Sequence, residues 1–255
     1  MDTRLLRVTL YLFCGLLGLS LSGLLPHPLL GEAVLLVFCA LPVACEKGKG
    51  ETALFPLLPR RRPSSLLFFP LLLGVTMGVS ALTALLFPSI TPAYPALSPL
   101  TIVTSAIAPA LAEELLFRFL VLSMLLPYGK RRAVLLNALL FALFHQSLYQ
   151  MPYALAAGAV LAAAALYSDS LALPVLLHFA NNLLSLLIGA HLTLPLVLLF
   201  VSAGIGSGIA LFFLNKGNRK EKATGHAPLR PLALSPLLLY ALYSITMAVL
   251  RSLGT

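Results

Sequence analysis

Six polar side chains stand inside apolar stretches, at spacings that could support acid–base chemistry. Glu114 and Arg118 are four residues apart, so on a helix they share one face and can form an ion pair. Glu113 is turned about 100° away from that face and remains a partly desolvated carboxylate, a group that can act as a general base. His178 and Asn182 share a helical face in the same way, and both can donate hydrogen bonds.

The sixth side chain, His145, lies in a third apolar stretch. A carboxylate beside an imidazole can activate water, and two donors aimed at one point can hold an oxyanion. The pattern therefore predicts hydrolysis of a carbonyl compound. Two alternatives stay open. Glu113, His145 and His178 could bind zinc, although the sequence has no H-E-x-x-H motif, and the charges could form an ion network that only fixes helix packing.

The composition indicates what kind of structure positions these side chains. Of the 255 residues, 60% are hydrophobic and 10% are charged, whereas a soluble domain carries about 25% charged residues. A soluble enzyme and a disordered chain are therefore excluded, and one integral membrane domain over 1–255 is expected. The net charge of +9 comes from few acids, with the bases in short clusters. That distribution favours the lipid bilayer as partner and no nucleic acid.

Continuous apolar stretches predict an all-α, polytopic bundle of about eight transmembrane helices. With a cytoplasmic N-terminus, the inner segments hold every Lys and Arg except Arg118 and Arg251, which satisfies the positive-inside rule. The inner segments are 1–7, 46–65, 128–132, 168–170 and 215–230. The predicted spans are 8–25, 29–44, 66–87, 100–126, 133–149, 152–167, 171–188 and 194–214, with 232–250 as a ninth span or an interfacial helix.

The orientation also places the polar side chains at a common depth. At about 1.5 Å per residue, Glu113 and His145 fall roughly 18–20 Å from the cytoplasmic surface, and His178 and Asn182 roughly 10–17 Å. Charges at such depth cost about 2.5–3.5 kcal/mol each on insertion scales, so they must face protein or water. One band of polar groups on three helices favours a single site over unrelated packing contacts.

Three motifs in this order resemble those of the CAAX protease and bacteriocin-processing family. They are E-E-x-x-x-R at 113–118, F-x-x-x-H at 141–145 and H-x-x-x-N at 178–182, with Ala108-Pro109 before the first. The resemblance covers about residues 100–190, the predicted catalytic core. One departure is Phe119, since many members have glycine after the arginine.

The resemblance implies a glutamate-type intramembrane endopeptidase similar to the type II prenyl-protein protease. The implied roles are water activation by Glu113 and His145, an oxyanion hole from His178 and Asn182, and support from Glu114 and Arg118. It implies no cofactor, with zinc as an alternative, and a membrane-anchored peptide or protein as substrate. Some members are linked to bacteriocin self-immunity or to scaffolding, so a non-catalytic membrane protein is a second alternative, and a proton-coupled transporter is a third. A chain with short loops and no organelle signal is typical of a multi-pass protein of a prokaryotic inner membrane.

Overall fold

The computed structural model describes residues 3–49, 63–86, 95–188, 191, 193–216 and 235–253, and within these ranges the regular elements are helices without any strand. We number the helices in chain order and treat the continuous run of α, π and 3₁₀ turns over 99–128 as one helix, α4. The helices are α1 Thr3–Ser22, α2 Pro28–Lys49, α3 Phe68–Leu86, α4 99–128, α5 Lys130–Phe144, α6 Met151–Ser168, α7 Ala172–Ile188, α8 Leu194–Lys216 and α9 Ser235–Leu253.

Six of these helices, namely α1, α2, α3, α6, α8 and α9, are long and apolar enough to cross a membrane. The predicted all-α, polytopic membrane bundle is therefore confirmed. The polar side chains of interest lie on or beside the other three helices. α5 and α7 have only 15 and 17 residues, and α4 carries Glu113, Glu114 and Arg118. Charged helices need protein around them in a bilayer, and the six apolar helices can provide that enclosure.

The fifth predicted span, 133–149, has the wrong boundaries. Its helix, α5, begins earlier and ends at Phe144, so His145 is the residue that caps its C-terminus. The chain turns there because Gln146 adopts a left-handed backbone conformation with φ 48°. The basic turn predicted at 128–132 is shorter than expected, because α4 ends at Tyr128 and α5 begins at Lys130. Only Gly129 lies between them, and its φ of 103° is a conformation that glycine adopts readily and other residues adopt only with strain.

The predicted polar loop 46–65 is also corrected, because α2 continues to Lys49 and Glu46 is fully buried. The Glu46 carboxylate accepts hydrogen bonds from Arg7 Nη1 at 3.0 Å and from the Tyr11 hydroxyl at 2.7 Å, both on α1. Lys49 Nζ lies 3.4 Å from the same carboxylate. A buried carboxylate needs such partners, so this charge marks a contact between two helices rather than a loop. Residues 50–62 of the predicted loop lie outside the described residues, and 63–65 belong to the 3₁₀ turn Pro63–Leu67 that precedes α3.

α4 forms the centre of the bundle and departs from regular α geometry on both sides of its α-helical segment Ala108–Glu114. That segment lies between two π-helical turns, Val103–Ile107 and Leu115–Leu122. A π turn shifts the helical bonding from i→i−4 to i→i−5, and such turns are frequent at functional sites. Asn137 of α5 donates a hydrogen bond from Nδ2 to the Phe117 carbonyl at 2.8 Å. This bond gives a backbone acceptor inside the second π turn a partner from the neighbouring helix.

α3 and α8 approach each other closely at glycines. Each helix carries a G-x-x-x-G pattern, at 74–78 and at 204–208, which allows close packing of membrane helices. A Cβ atom built on Gly74 would lie 2.4 Å from the Phe200 carbonyl oxygen and 2.8 Å from the Gly204 Cα. α3 also carries Thr76, which lines the cavity described below. The glycine contact with α8 therefore helps to fix the position of α3, which forms one wall of that cavity.

We expect Gly74→Ala to lower the free energy of unfolding by about 1–3 kcal/mol, because the added methyl group meets backbone atoms that cannot rotate away. The matched control is Gly206→Ala on α8, whose Cβ would meet no described atom within 4 Å. Thermal unfolding of the two purified variants in detergent measures the difference. Equal melting temperatures for both variants and the wild type would contradict close glycine packing of α3 on α8.

Candidate active site

A cavity of about 320 Å³ lies among α3, α4, α5, α6 and α7. Its lining includes Glu113 of α4, His145 at the end of α5, and His178 and Asn182 of α7. The structure thus brings together four polar groups from three separate segments of the sequence. Further polar groups line the same cavity: Thr76, Ser80, Ser105, Tyr149, Gln150, Tyr153, Asn181 and Ser185.

A buried carboxylate, Glu114, connects three helices beside the cavity. Its Oε1 accepts hydrogen bonds from Arg118 Nη1 at 2.8 Å and from His178 Nδ1 at 2.8 Å. Arg118 donates a further bond from Nη2 to the Gly158 carbonyl on α6 at 3.3 Å. The side chains of Glu114 and Arg118 are both fully buried. Because an ionised carboxylate only accepts, the His178 Nδ1 carries a proton, and Nε2 is the nitrogen left for the cavity.

Glu113 has a different environment from its neighbour. Its side chain is 13% exposed, whereas that of Glu114 is 0% exposed. Its Oε2 lies 3.9 Å from His178 Nε2, and among the described residues this oxygen has no hydrogen-bond partner. Of Glu113 and Glu114, it is therefore Glu113 that lines the cavity with a carboxylate oxygen able to accept a hydrogen bond from a bound molecule.

The imidazole of His145 is oriented by the residue one turn earlier, Phe141. His145 Nδ1 lies 2.9 Å from the Phe141 carbonyl oxygen. A carbonyl only accepts, so Nδ1 is the donor, and Nε2 of the neutral ring is a proton acceptor. The Phe141 ring meets the His145 and His178 rings edge-on, with centroids 4.9 and 5.9 Å apart. It also lies 4.2 Å below the Arg118 guanidinium. The four-residue spacing of the second motif places the Phe141 ring beside His145, and helix packing brings His178 and Arg118 against the same ring.

Sequence reasoning gave no role to two side chains that join α3 to α7 at the cavity. The Thr76 hydroxyl donates a hydrogen bond to Asn181 Oδ1 at 2.8 Å, and both residues line the cavity and are buried. Threonine in an apolar helix commonly bonds the carbonyl four residues earlier, and the Thr76 oxygen also lies 2.9 Å from the Leu72 carbonyl oxygen, so its single hydrogen is shared between two acceptors. Nothing in the local sequence distinguishes such a threonine from one that also reaches another helix.

Residues 95–184 match the family model described as type II CAAX prenyl endopeptidase Rce1-like. We call this matched segment the Rce1-like domain. The predicted resemblance to the CAAX protease family is therefore confirmed over residues 95–184. Neither the curated proteins nor the solved structures gave a match. The Rce1-like domain contains all four cavity residues predicted from the motifs, and it supports a protease as the class of protein. Phe119, where the sequence departs from the family pattern, packs partly buried against the core and is not among the residues that line the cavity.

The residues of the Rce1-like domain do not fit a zinc site as they are arranged here. Within the described ranges, no group of three His, Cys, Asp or Glu side chains is placed so that it could hold a metal ion. The set considered for zinc, Glu113, His145 and His178, lines the cavity without forming such a group.

Proposed function

We propose that the chain is a glutamate-type intramembrane endopeptidase that hydrolyses a peptide bond of a membrane-associated protein or peptide. The observation that supports this most is the position of Glu113, His145, His178 and Asn182 around one cavity. The Rce1-like match supports the protease class. We further propose that no metal takes part and that the protein resides in a prokaryotic inner membrane with its basic segments in the cytoplasm.

Water activation is assigned to Glu113 and His145. Both line the cavity, Glu113 with an oxygen that has no described partner and His145 with Nε2 as the acceptor of its neutral ring. A water molecule held by both groups gives one proton to the Glu113 carboxylate. The remaining hydroxide attacks the carbonyl carbon of the peptide bond.

Stabilisation of the negative oxygen of the tetrahedral intermediate is assigned to His178 and Asn182. His178 donates from Nδ1 to Glu114, so a second donation from Nε2 requires the imidazolium form. That form gives two positive charges, on Arg118 and His178, opposite the two carboxylates, and the cluster is neutral overall. The Asn182 amide supplies the second donor. When the intermediate collapses, the C–N bond breaks and the leaving amine takes the proton that Glu113 received.

The proposal is tested with purified protein in phospholipid vesicles and two peptides of one sequence, one with a farnesyl group on a cysteine near its C-terminus and one without lipid. We expect the farnesylated peptide to lose its C-terminal residues, as detected by mass spectrometry, and a chelator to leave the rate unchanged. If neither peptide is cleaved, the proposal fails in favour of a non-catalytic role. If chelation stops cleavage and zinc restores it, the metal alternative replaces the glutamate mechanism.

We expect His145→Ala to lower the cleavage rate about 10²-fold, because one of the two groups that hold the attacking water is lost. His191→Ala is the matched control, since His191 is exposed and does not line the cavity. Initial rates with the farnesylated peptide measure the effect. Equal rates for the two variants would remove His145 from the mechanism.

A further inference from the structure

A second cavity, separate from the candidate active site, is a groove of about 600 Å³ between the first turns of α5 and the last turns of α6. Two cations, Lys130 and Arg131, line it together with Tyr167. Its remaining walls are apolar, from Val134, Leu135, Ala163 and Leu166. We call these seven residues the α5–α6 groove. It shares no lining residue with the cavity that holds Glu113.

The α5–α6 groove is polar at one end and apolar along its length. Lys130 and Val134 are four residues apart on α5, as are Arg131 and Leu135, so each cation stands one helical turn before an apolar side chain on the same face. One turn is about 5.4 Å along the axis. Opposite them on α6, the small side chain of Ala163 keeps the apolar part of the groove open.

The end of the groove with Lys130 and Arg131 is suited to an anion. The two cations occupy the first turn of a 15-residue helix, where the macrodipole disfavours positive charge and favours negative charge. The residue before them, Gly129, supplies no side-chain cap to the first backbone N–H groups. Tyr167 stands at the same end, with its hydroxyl bonded to Ser64 and its ring centroid 5.3 Å from that of Phe68. Tyrosine in such a position is typical of the boundary between lipid and water.

We propose that the α5–α6 groove binds one anionic phospholipid of the surrounding bilayer. The phosphate would bind Lys130 and Arg131, and the first part of an acyl chain would lie along Leu135, Ala163 and Leu166. The two cations favour a lipid with a negative headgroup over a neutral lipid, and the polar end followed by apolar walls matches a headgroup followed by an acyl chain. Basic pockets between transmembrane helices are known to bind the headgroups of anionic lipids. The proposal does not depend on proteolysis, because its readout is binding.

Native mass spectrometry of the detergent-solubilised full chain tests the proposal, with phosphatidylglycerol and phosphatidylcholine of identical acyl chains as probes. We expect phosphatidylglycerol to be retained in preference to phosphatidylcholine, and Arg131→Gln to weaken its binding about fivefold, the effect of one basic residue near a lipid headgroup. Arg132→Gln is the matched control: it removes the same charge from the adjacent exposed residue, which does not line the groove. Soluble glycerophosphate should not compete, because it lacks the acyl chains.

Two results would overturn the proposed binding of the phosphate by Lys130 and Arg131. One is equal retention of the two lipids, and the other is an equal loss in Arg131→Gln and Arg132→Gln, which would mean that general surface charge attracts the lipid. The apolar part of the groove is tested by Ala163→Leu, which fills it and should weaken both lipids. The control is Ala156→Leu, two turns earlier on the same helix and outside the groove. Binding unaffected by Ala163→Leu, or competition by glycerophosphate, would exclude an acyl chain there.

Discussion

We expect Glu113→Gln to lower the rate of peptide cleavage about 10⁴-fold, the upper end of the range for a general base. The substitution preserves the size of the side chain. It replaces the oxygen pair with an amide that takes no proton from water, and it places an NH₂ donor close to His178, whose Nε2 lies 3.9 Å from Glu113 Oε2 in the wild type. Initial rates from vesicle-embedded protein, followed by mass spectrometry of the released fragment, measure the loss.

The control for this variant is Asp169→Asn at the C-terminal cap of α6. Asp169 is another partly buried carboxylate, and it does not line the cavity. We expect its rate to stay within about twofold of the wild type, because asparagine tolerates the left-handed backbone conformation of this position and the proposed reacting groups are unchanged. A Glu113→Gln variant that keeps a tenth or more of the wild-type rate, while folding normally, would exclude Glu113 as the base.

Much of the site could be predicted because helical spacing is a local property. Residues at i and i+4 share a face in any α-helix, so Glu114 with Arg118 and His178 with Asn182 could be paired without knowing the fold. The depth argument then placed groups from separate helices in one band, since apolar length and basic ends fix a helix in the bilayer. Neither step requires knowledge of tertiary contacts.

What could not be predicted depends on contacts between helices. Sequence reasoning did not connect His178 to Glu114, whereas its Nδ1 shares the Glu114 oxygen with Arg118. It placed His145 inside a helix, whereas the residue caps α5 beside the left-handed Gln146. The π turns of α4 have no local sequence signature. A π turn is stable only where a neighbouring helix supplies a hydrogen-bond partner for the displaced carbonyl, and that helix is distant in the sequence. These features set which nitrogen of each histidine lies toward the cavity, and so decide the chemistry assigned to them.

The buried ion pair is where the largest loss of stability is expected. We expect Arg118→Met to lower the free energy of unfolding by about 3–5 kcal/mol, because it leaves the fully buried Glu114 carboxylate without its cation. The variant also loses the bond to the Gly158 carbonyl and the guanidinium above the Phe141 ring. Thermal unfolding in detergent and the yield of monodisperse protein measure the effect. A melting temperature equal to that of the wild type would contradict a structural role for the pair.

The double variant Arg118→Met with Glu114→Leu separates stability from chemistry. With both charges gone, no uncompensated ion remains in the core, and replacement of a buried pair by apolar side chains is often neutral or stabilising. We therefore expect the double variant to unfold at a higher temperature than Arg118→Met alone. Cleavage should nevertheless stay at least about 10²-fold below the wild type, because His178 has lost the carboxylate that holds its Nδ1 and balances the imidazolium. Wild-type cleavage by a well-folded double variant would show that Glu114 does not position His178 for the reaction.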